Sequence, residues 1–251
     1  MKISELSPPI CDVCQAFADG LEEILGPNLY GVYLYGATVF PDSGPVQDLD
    51  CHVILKKPPD EGEKEDIRAL REELAKRFPH LGGELDAYFI TCQDAQGASP
   101  PRHHLHPTMR DESWALHCAH VRAGYYVTLY GPEPTDIFPA PSWPDVVAAL
   151  DHEMRYVEEN LHYTAYCVLN LCRIVYSFRE RNVAVSKRFC GNWACECFPR
   201  WAALVKAAMR VYEGTATSRD DELLHAEVEH FLKFATERIR ESRAAGRRVN
   251  G

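Results

Sequence analysis

Two short segments in the first third of the chain predict strands, the first by its run of apolar residues and the second by its alternation of apolar and polar residues. Residues 30–35 are aromatic and β-branched, and Gly36 follows them at a predicted turn. Residues 48–55 alternate with a period of two. One face of this second strand carries Leu49, Cys51, Val53 and Leu55. Asp48 and Asp50 therefore share its opposite face.

The same alternation returns in residues 84–91, which predict a third strand. Its inward residues are Leu85, Ala87 and Phe89. Glu84 and Asp86 lie on the opposite face, like the two acids of the second strand. If the second and third strands are neighbours, we expect Asp86 either to bind a metal ion or to accept a proton from an attacking hydroxyl group.

Helical spacing of apolar residues predicts helices over 11–25 and 60–78, and again over 113–123. Residues 92–107 are rich in Pro, Gly, Ser and His and predict a long loop, in which the histidines at 103–106 are interpreted as a solvated bend. A further strand over 125–131 precedes a proline-rich segment, which is the natural domain boundary.

Beyond that boundary the pattern is helical throughout. It predicts helices over 145–160, 163–181, 186–197 with Ser186 as N-cap, 201–212 and 219–243, followed by a frayed tail. The sequence therefore predicts an α+β domain with a mixed sheet and helices over residues 1–140. An all-α helical bundle is predicted over residues 141–251.

Composition narrows the possible partners. The 251 residues carry a net charge of −10, which argues against a nucleic-acid-binding protein because such a protein needs a basic groove. No apolar run reaches the roughly 20 residues that span a bilayer, so no membrane segment is expected and we predict a cytoplasmic protein. In that compartment the ten cysteines are interpreted as reduced thiols. Their spacing does not form two regular metal-binding pairs, which argues against a zinc site.

The carboxylates on the second and third predicted strands are the residues that indicate a function most directly. Two acids at positions i and i+2 of one strand repel each other unless a cation lies between them, and hard oxygen ligands suit Mg²⁺. Pairs of metal ions that hold the attacking and leaving oxygens recur in phosphoryl and nucleotidyl transfer. A glycine turn beside three carboxylates on two strands therefore favours a metal–nucleotide site over ordinary surface acids.

With these motifs the chain resembles the nucleotidyltransferases of the DNA polymerase β-like superfamily, and among them the aminoglycoside adenylyltransferases that modify streptomycin and spectinomycin. In the first half the resemblance rests on residues 34–37, 48–50, 85–87 and 129–132. In the second half it rests on residues 171–176, 185–187 and 192–194, and on Tyr212. It implies a nucleotidyltransferase domain followed by a helical bundle, with ATP and Mg²⁺ as cofactors, and an antibiotic-resistance activity.

The resemblance also implies roles for individual residues. Asp48, Asp50 and Asp86 correspond to metal ligands of the family. Asp86 also lies where the family has its catalytic base, usually a glutamate, and Glu84 is the alternative for that role. The positions that correspond to contacts with the triphosphate or the nucleotide are Gly36, Ala37, Thr38, Arg173, Lys187 and Tyr212.

The chain departs from the family pattern at the turn and in the drug-binding segment. Ala37 replaces a serine after the glycine, and Gln47 replaces a serine before the first aspartate. Tyr163 stands where the family has an acidic residue, and Met154 stands near the position of an aromatic one. These changes bear on the identity of the substrate more than on the class of reaction.

The expected function is transfer of AMP from ATP to a hydroxyl group of a small, aminoglycoside-like molecule, with release of pyrophosphate. A cationic substrate of this kind suits the acidic chain. Two alternatives stay open. One is a non-catalytic nucleotide-binding regulatory protein with a decayed triphosphate site, and the other is an antitoxin-like module that adenylylates a protein. No dimer interface is evident, which leaves the oligomeric state open and favours a monomer.

Overall fold

The structure is a computed structural model, and it describes residues 3–42, 44–97 and 100–249. It divides into two compact units. The first unit comprises residues 1–40 and 46–146, and the second comprises residues 41–45 and 147–251. The division lies slightly beyond the boundary predicted at residue 140, and it places a short segment after the first strand with the helical unit.

The first unit contains a four-stranded mixed sheet with the strand order β3-β2-β1-β4. Its strands are β1 (Leu29–Tyr35), β2 (Leu49–Leu55), β3 (Leu85–Thr91) and β4 (Val127–Tyr130). Its helices are α1 (Pro8–Leu25), α2 (Glu61–Arg77), α3 (Cys92–Ala95) and α4 (Trp114–Arg122). Strand β1 is antiparallel to β2 and β4, whereas β2 and β3 are parallel. The predicted strands are thus confirmed, and the parallel pair is joined through α2, as a crossover requires.

One face of the sheet packs against α1. The apolar residues predicted for this face of β2 and β3 are all buried there: Leu49, Cys51, Val53, Leu55, Leu85, Ala87 and Phe89. Phe17 and Leu21 of α1 belong to the same hydrophobic cluster. The alternation in the sequence therefore identified this core correctly.

The opposite face of the sheet is buried too, except at the end that carries the acids. Asp50 is half-buried, but the next residues of β2 on this face, His52 and Ile54, are fully buried. Trp114 of α4 and Phe138 cover them. The acids therefore lie at the open end of a sheet that is otherwise covered on both faces.

Helix α2 shows how local sequence fixes an element of this unit. The Asp60 side chain accepts a hydrogen bond from the Glu63 amide at 2.9 Å, and the Glu63 side chain accepts one from the Asp60 amide at 2.8 Å. This capping box begins the helix, and Ile67 and Leu74 bury its apolar face. The predicted helix at this position is confirmed.

The histidine-rich loop was predicted to be a solvated bend, and at His103 the structure differs from this prediction. His103 is buried, and its Nε2 donates to the carbonyl oxygen of Ala87 at 3.2 Å. Its Nδ1 accepts from the amides of Leu105 and His106 at 3.0 and 3.2 Å. Burial lowers the pKa of His103 to about 4, so the ring is neutral and holds the loop on the sheet. The interpretation was wrong for this residue because its partners are backbone groups, which residue types do not reveal.

The second unit is helical. It contains α6 (Thr164–Glu180), α7 (Lys187–Cys197), α8 (Ala202–Tyr212) and α9 (Ser218–Val249), and the division between the units falls within α5 (Trp143–Glu159). Helix α6 is almost entirely buried from Cys167 to Phe178, which agrees with its apolar sequence. None of the described helices is both long enough and apolar enough to cross a membrane.

Helix α9 continues to Val249, so the expectation that the chain frays after Arg243 was wrong. Residues 243–248 are arginine, alanine and a single glycine, and most of these residues favour a helix. The last two residues of the tail, 250 and 251, lie outside the described part of the chain.

Candidate functional site

Asp50 and Asp86 are neighbours on adjacent strands. The parallel register of β2 and β3 pairs Asp50 with Asp86, so both side chains point to the same face of the sheet. Asp50 is half-buried and Asp86 is exposed. Two carboxylates side by side repel each other unless a cation compensates their charge, and Mg²⁺ prefers such oxygen ligands. The strand pairing that the sequence left conditional is therefore present, and this pair of acids fits a magnesium site.

Gly36 brings the turn after β1 directly against this pair. Tyr35 is the antiparallel partner of Asp50, and Gly36 follows it with φ of 75°. A Cβ atom at Gly36 would overlap the carboxylate of Asp50, so both the positive φ and the close approach require glycine. The turn and the acids thus form one compact structure across three strands.

Thr38 connects the turn to Asp48. The Thr38 hydroxyl donates a hydrogen bond to the Asp48 carbonyl oxygen at 3.2 Å, and Thr38 is buried. Asp48 itself is exposed and lies one residue before β2 begins. Ala37 is half-buried within the same turn. The hydroxyl group of Thr38 therefore has a structural partner, although its oxygen can still accept a hydrogen bond.

Glu84 lies beside the acids without joining the strand pair. It is exposed and immediately precedes β3, and its carbonyl oxygen accepts from the Leu49 amide at 3.0 Å. Within the described residues, Asp48, Asp50 and Asp86 do not form a group of three whose ligand atoms converge within 4.8 Å of one another. The strand register pairs Asp50 with Asp86, whereas Asp48 lies before the first paired residue of β2.

The pKa of Tyr35 responds to the carboxylates of this region. Its ring is buried, and burial first, followed by the surrounding carboxylates, raises the pKa of Tyr35 well above its ordinary value. Asp50 is the carboxylate with the largest effect, and Asp111 and Asp86 follow. The acids therefore generate a negative potential on this face of the sheet, as a cation-binding site requires.

The second unit positions the other residues that the resemblance implicates. Lys187 is the first residue of α7, and Ser186 caps that helix by accepting from the Phe189 amide at 2.9 Å. The Ser186 hydroxyl also donates to Asp42 at 2.8 Å. The predicted N-cap is confirmed, and it places Lys187 at the positive end of the helix dipole.

Lys187 and Tyr212 are close together. The ammonium group of Lys187 lies 5.6 Å from the ring centre of Tyr212 and 4.4 Å from that of Tyr166. Both distances are within the range of cation–π attraction. The aromatic rings therefore restrict the lysine side chain without neutralising its charge.

Arg173 on α6 is held by an acid that the sequence did not single out. Its guanidinium group lies 3.3 Å from Glu153 Oε2, and Asn170 donates to the same oxygen at 2.8 Å. Asn170 is fully buried, and Arg173 and Glu153 are partly buried. The pair joins α5 to α6, and periodicity could not identify it because the partners are 20 residues apart in the chain.

A cluster of three polar residues in the first unit was not predicted from the sequence. His52, Asp111 and His117 lie together in the first unit, on the face of β2 that carries Asp50. Burial lowers the pKa of His52 to about 4, more than its contact with Asp111 raises it. Burial alone would raise the pKa of Asp111, but the two histidines hold it below its ordinary range. The sequence feature that could have indicated this cluster is His52, which lies two positions after Asp50 on the same face of a strand.

Comparisons with known proteins show which family and which fold the chain resembles. Residues 137–238 match the model of a family described as aminoglycoside adenylyltransferase, C-terminal domain. No curated protein matches the chain at a significant level.

One similar crystal structure is that of spectinomycin adenyltransferase AAD(9) from Enterococcus faecialis with ATP and spectinomycin. The TM-score is 0.69 at 17% sequence identity, and the match covers 91% of this chain and 98% of that one. The predicted fold class, an α+β domain with a mixed sheet followed by an all-α helical domain, is confirmed. The second half of the chain thus resembles the C-terminal domain of aminoglycoside adenylyltransferases, and most of the chain shares the fold of AAD(9).

Proposed function

We propose that this protein transfers AMP from ATP to a hydroxyl group of a small molecule of the aminoglycoside type and releases pyrophosphate. The observation that carries this proposal is the register of Asp50 with Asp86, with Gly36 packed directly against Asp50. The similarity to a structure that contains ATP and spectinomycin supports both the nucleotide and the class of acceptor.

Asp50 and Asp86 would hold Mg²⁺, and Asp48 would contribute from the segment before β2. When bound, Mg²⁺ supplies positive charge that offsets the charge of the triphosphate. The backbone of residues 36–38 forms the turn beside Asp50, where its amides would contact the phosphates. Ala37 lacks the hydroxyl group of the serine that it replaces, so these contacts depend on the backbone.

In the reaction, the hydroxyl oxygen of the acceptor forms a bond with the α-phosphorus of ATP. The bond from that phosphorus to the bridging oxygen breaks, and pyrophosphate leaves. We assign the proton acceptor to Asp86, because it is exposed and adjacent to Asp50. Glu84 is the alternative, since it is also exposed and shares the face of the strand.

In the second unit, Arg173 and Lys187 would contact the phosphates, where their charges offset the charge that develops on the leaving pyrophosphate. Lys187 at the beginning of α7 adds its charge to that of the helix N-terminus, which favours an anion. Tyr212 would contact the nucleotide, and the position of Lys187 beside its ring supports assigning both residues to one ligand.

The acceptor is proposed to be a cationic molecule, because the chain carries a net charge of −10 and a polycation would be attracted to it. Tyr163 and Met154 differ from the family pattern, so the hydroxyl group that is modified need not be that of streptomycin or spectinomycin.

The test is pyrophosphate release from Mg-ATP over a panel of aminoglycosides that includes spectinomycin and streptomycin. We expect at least one member of the panel to stimulate release by the wild type, and Asp50→Asn to abolish it. The matched control is Asp66→Asn, which changes an exposed aspartate of α2 and should leave release intact. Release that persists in Asp50→Asn would contradict the assigned site, and a silent panel would contradict the acceptor class.

A further inference from the structure

Two imidazoles and one carboxylate lie close together on the face of the sheet that carries Asp50 and Asp86. Nε2 of His52 lies 3.0 Å from Oδ2 of Asp111, and Nδ1 of His117 lies 2.8 Å from the same oxygen. In the described part of the chain, this is the one group of three or more His, Cys, Asp or Glu side chains whose ligand atoms lie within 4.8 Å of one another. We call these three residues the His-Asp-His cluster.

The three residues come from separate segments that the fold holds in place. His52 belongs to β2, Asp111 lies in the loop before α4, and His117 lies within α4. The Asp111 amide donates to the Pro101 carbonyl oxygen at 3.0 Å, which fixes the end of that loop. His52 is fully buried, Asp111 is 4% exposed, and His117 is partly exposed.

Aromatic rings enclose the buried side of the cluster. Tyr35 stacks on the His52 ring at 4.1 Å, and Trp114 meets the same ring edge-on at 5.1 Å. Tyr35 also contacts the His117 ring at 4.6 Å. The rings therefore have little freedom to turn, so the geometry that brings the three ligand atoms together is set before any ion binds.

We propose that the His-Asp-His cluster is a binding site for one divalent transition-metal ion of the Zn²⁺ class, distinct from the magnesium site at Asp50 and Asp86. Two imidazoles with one carboxylate are a ligand set of zinc sites that keep a fourth position for water. The fourth position would lie on the side of His117, which is the one partly exposed member of the cluster.

The dimensions suit such an ion. Bonds of about 2.0–2.2 Å to a tetrahedral zinc ion place the ligand atoms roughly 3.4 Å apart. The two contacts to Asp111 are slightly shorter than this, and the two ring nitrogens lie within 4.8 Å of each other. A movement of about 1 Å by one ring, together with a small opening of the contacts to Asp111, satisfies the coordination geometry.

Metal binding replaces two hydrogen bonds. To bind the ion, Nε2 of His52 and Nδ1 of His117 must each be free of a proton, so that each ring binds as a neutral imidazole with its proton on the other nitrogen. Nδ1 of His52 is buried and has no hydrogen-bond partner among the described residues. Because zinc-binding histidines are normally stabilised by such a partner, we expect micromolar affinity rather than that of a fully supported zinc site.

The site is separate from the acids but shares their strand. His52 follows Asp50 by two residues on the same face of β2, which corresponds to a distance of about 6.6 Å along the strand. The bound ion would join β2, the loop that ends at Asp111, and α4. Its expected effect is therefore on the stability of this part of the first unit.

The experiment measures Zn²⁺ binding by calorimetry and Co²⁺ absorption on the full chain, in the absence of ATP and Mg²⁺. The variants are Asp111→Asn, which keeps the shape and a hydrogen-bond acceptor, and His117→Gln, which changes the most exposed ligand. We expect one equivalent bound with micromolar affinity in the wild type, and at least tenfold weaker binding in both variants. Zn²⁺ should also raise the melting temperature of the wild type and not that of Asp111→Asn.

Two controls distinguish this site from other ligands. His80→Gln changes an exposed histidine outside the cluster, and Asp50→Asn removes a carboxylate of the proposed magnesium site. Both should retain the bound equivalent, and circular dichroism in the presence of a chelator checks that every variant is folded. Absence of a bound equivalent, binding lost only in Asp50→Asn, or a Co²⁺ spectrum with thiolate charge-transfer bands would overturn the proposal.

Discussion

The backbone fixes the proposed site residues of the first unit, whereas side-chain contacts position those of the second. Asp50 and Asp86 are set by strand register, and Gly36 approaches Asp50 so closely that no side chain fits. Lys187 is instead held between two aromatic rings, and Arg173 by a partly exposed acid. Changes in the first unit should therefore abolish activity, while changes in the second should weaken nucleotide binding by degrees.

The largest effect is expected at the glycine turn. Gly36→Ala should abolish transfer, because the new Cβ displaces the Asp50 carboxylate, and it should lower the free energy of unfolding by about 1–3 kcal/mol. Gly124→Ala is the matched control, since Gly124 has φ of 88° and open space around its Cβ position. This substitution should lower the free energy of unfolding by only about 1 kcal/mol, which is the backbone strain of alanine at a positive φ, and it should leave the transfer rate unchanged. Urea unfolding and pyrophosphate release measure both quantities, and equal loss of activity in the two variants would contradict the close-contact argument.

The proposed base should give the next largest effect. Asp86→Asn should lower kcat by about 100-fold or more, because a positioned base contributes about 10²–10⁴ to the rate. Glu84→Gln should change kcat by less than about threefold, since removing a nearby exposed charge alters a surface interaction by at most about 0.5 kcal/mol. Steady-state kinetics at saturating ATP tests this assignment. The reverse pattern would transfer the role to Glu84.

In the second unit, Lys187→Met should raise KM for ATP about tenfold, which corresponds to about 1.4 kcal/mol of lost binding. The value of kcat should fall less, if Lys187 binds the phosphates similarly in the ground state and the transition state. Lys206→Met, at an exposed position of α8, is the control and should leave KM unchanged. A loss of activity as complete as that of Gly36→Ala would remove the distinction between the two units.

The smallest effects concern stability, and they should have opposite signs in the two units. Asp86→Asn relieves repulsion from Asp50 and should raise the free energy of unfolding by ~0.5 kcal/mol when Mg²⁺ is absent. Glu153→Gln removes the charge that pairs with Arg173 and should lower the free energy of unfolding by about 1 kcal/mol. Denaturant unfolding in a chelator measures both, and stabilisation by Glu153→Gln would show that this acid is not a structural partner.

The sequence predicted the parts of the fold that depend on local periodicity. The strands and the buried face of β2 followed from alternation over seven or eight residues, and the Ser186 cap followed from its position before a helix. The side-by-side placement of Asp50 and Asp86 needed the pairing of β2 with β3, which the sequence left as a condition. Register between strands is a tertiary property, so a single sequence could only make it plausible.

The features that were missed all join residues that are distant in the chain. His52 and Asp111 are 59 residues apart, and only the packing of α4 on the sheet brings them together. Arg173 and Glu153 meet because α5 and α6 are neighbours. Residue type alone could not identify these contacts, because the partners of buried polar groups depend on how the elements pack.

The most direct test of the magnesium–nucleotide site is ATP binding by calorimetry, with and without Mg²⁺, on the wild type and on Asp50→Asn. We expect binding by the wild type that requires Mg²⁺ and is weakened at least tenfold by the substitution, because Asp50 holds the ion beside the Gly36 turn. Binding that is independent of Mg²⁺, or equally strong in Asp50→Asn, would contradict the assignment of the acidic pair as the metal–nucleotide site.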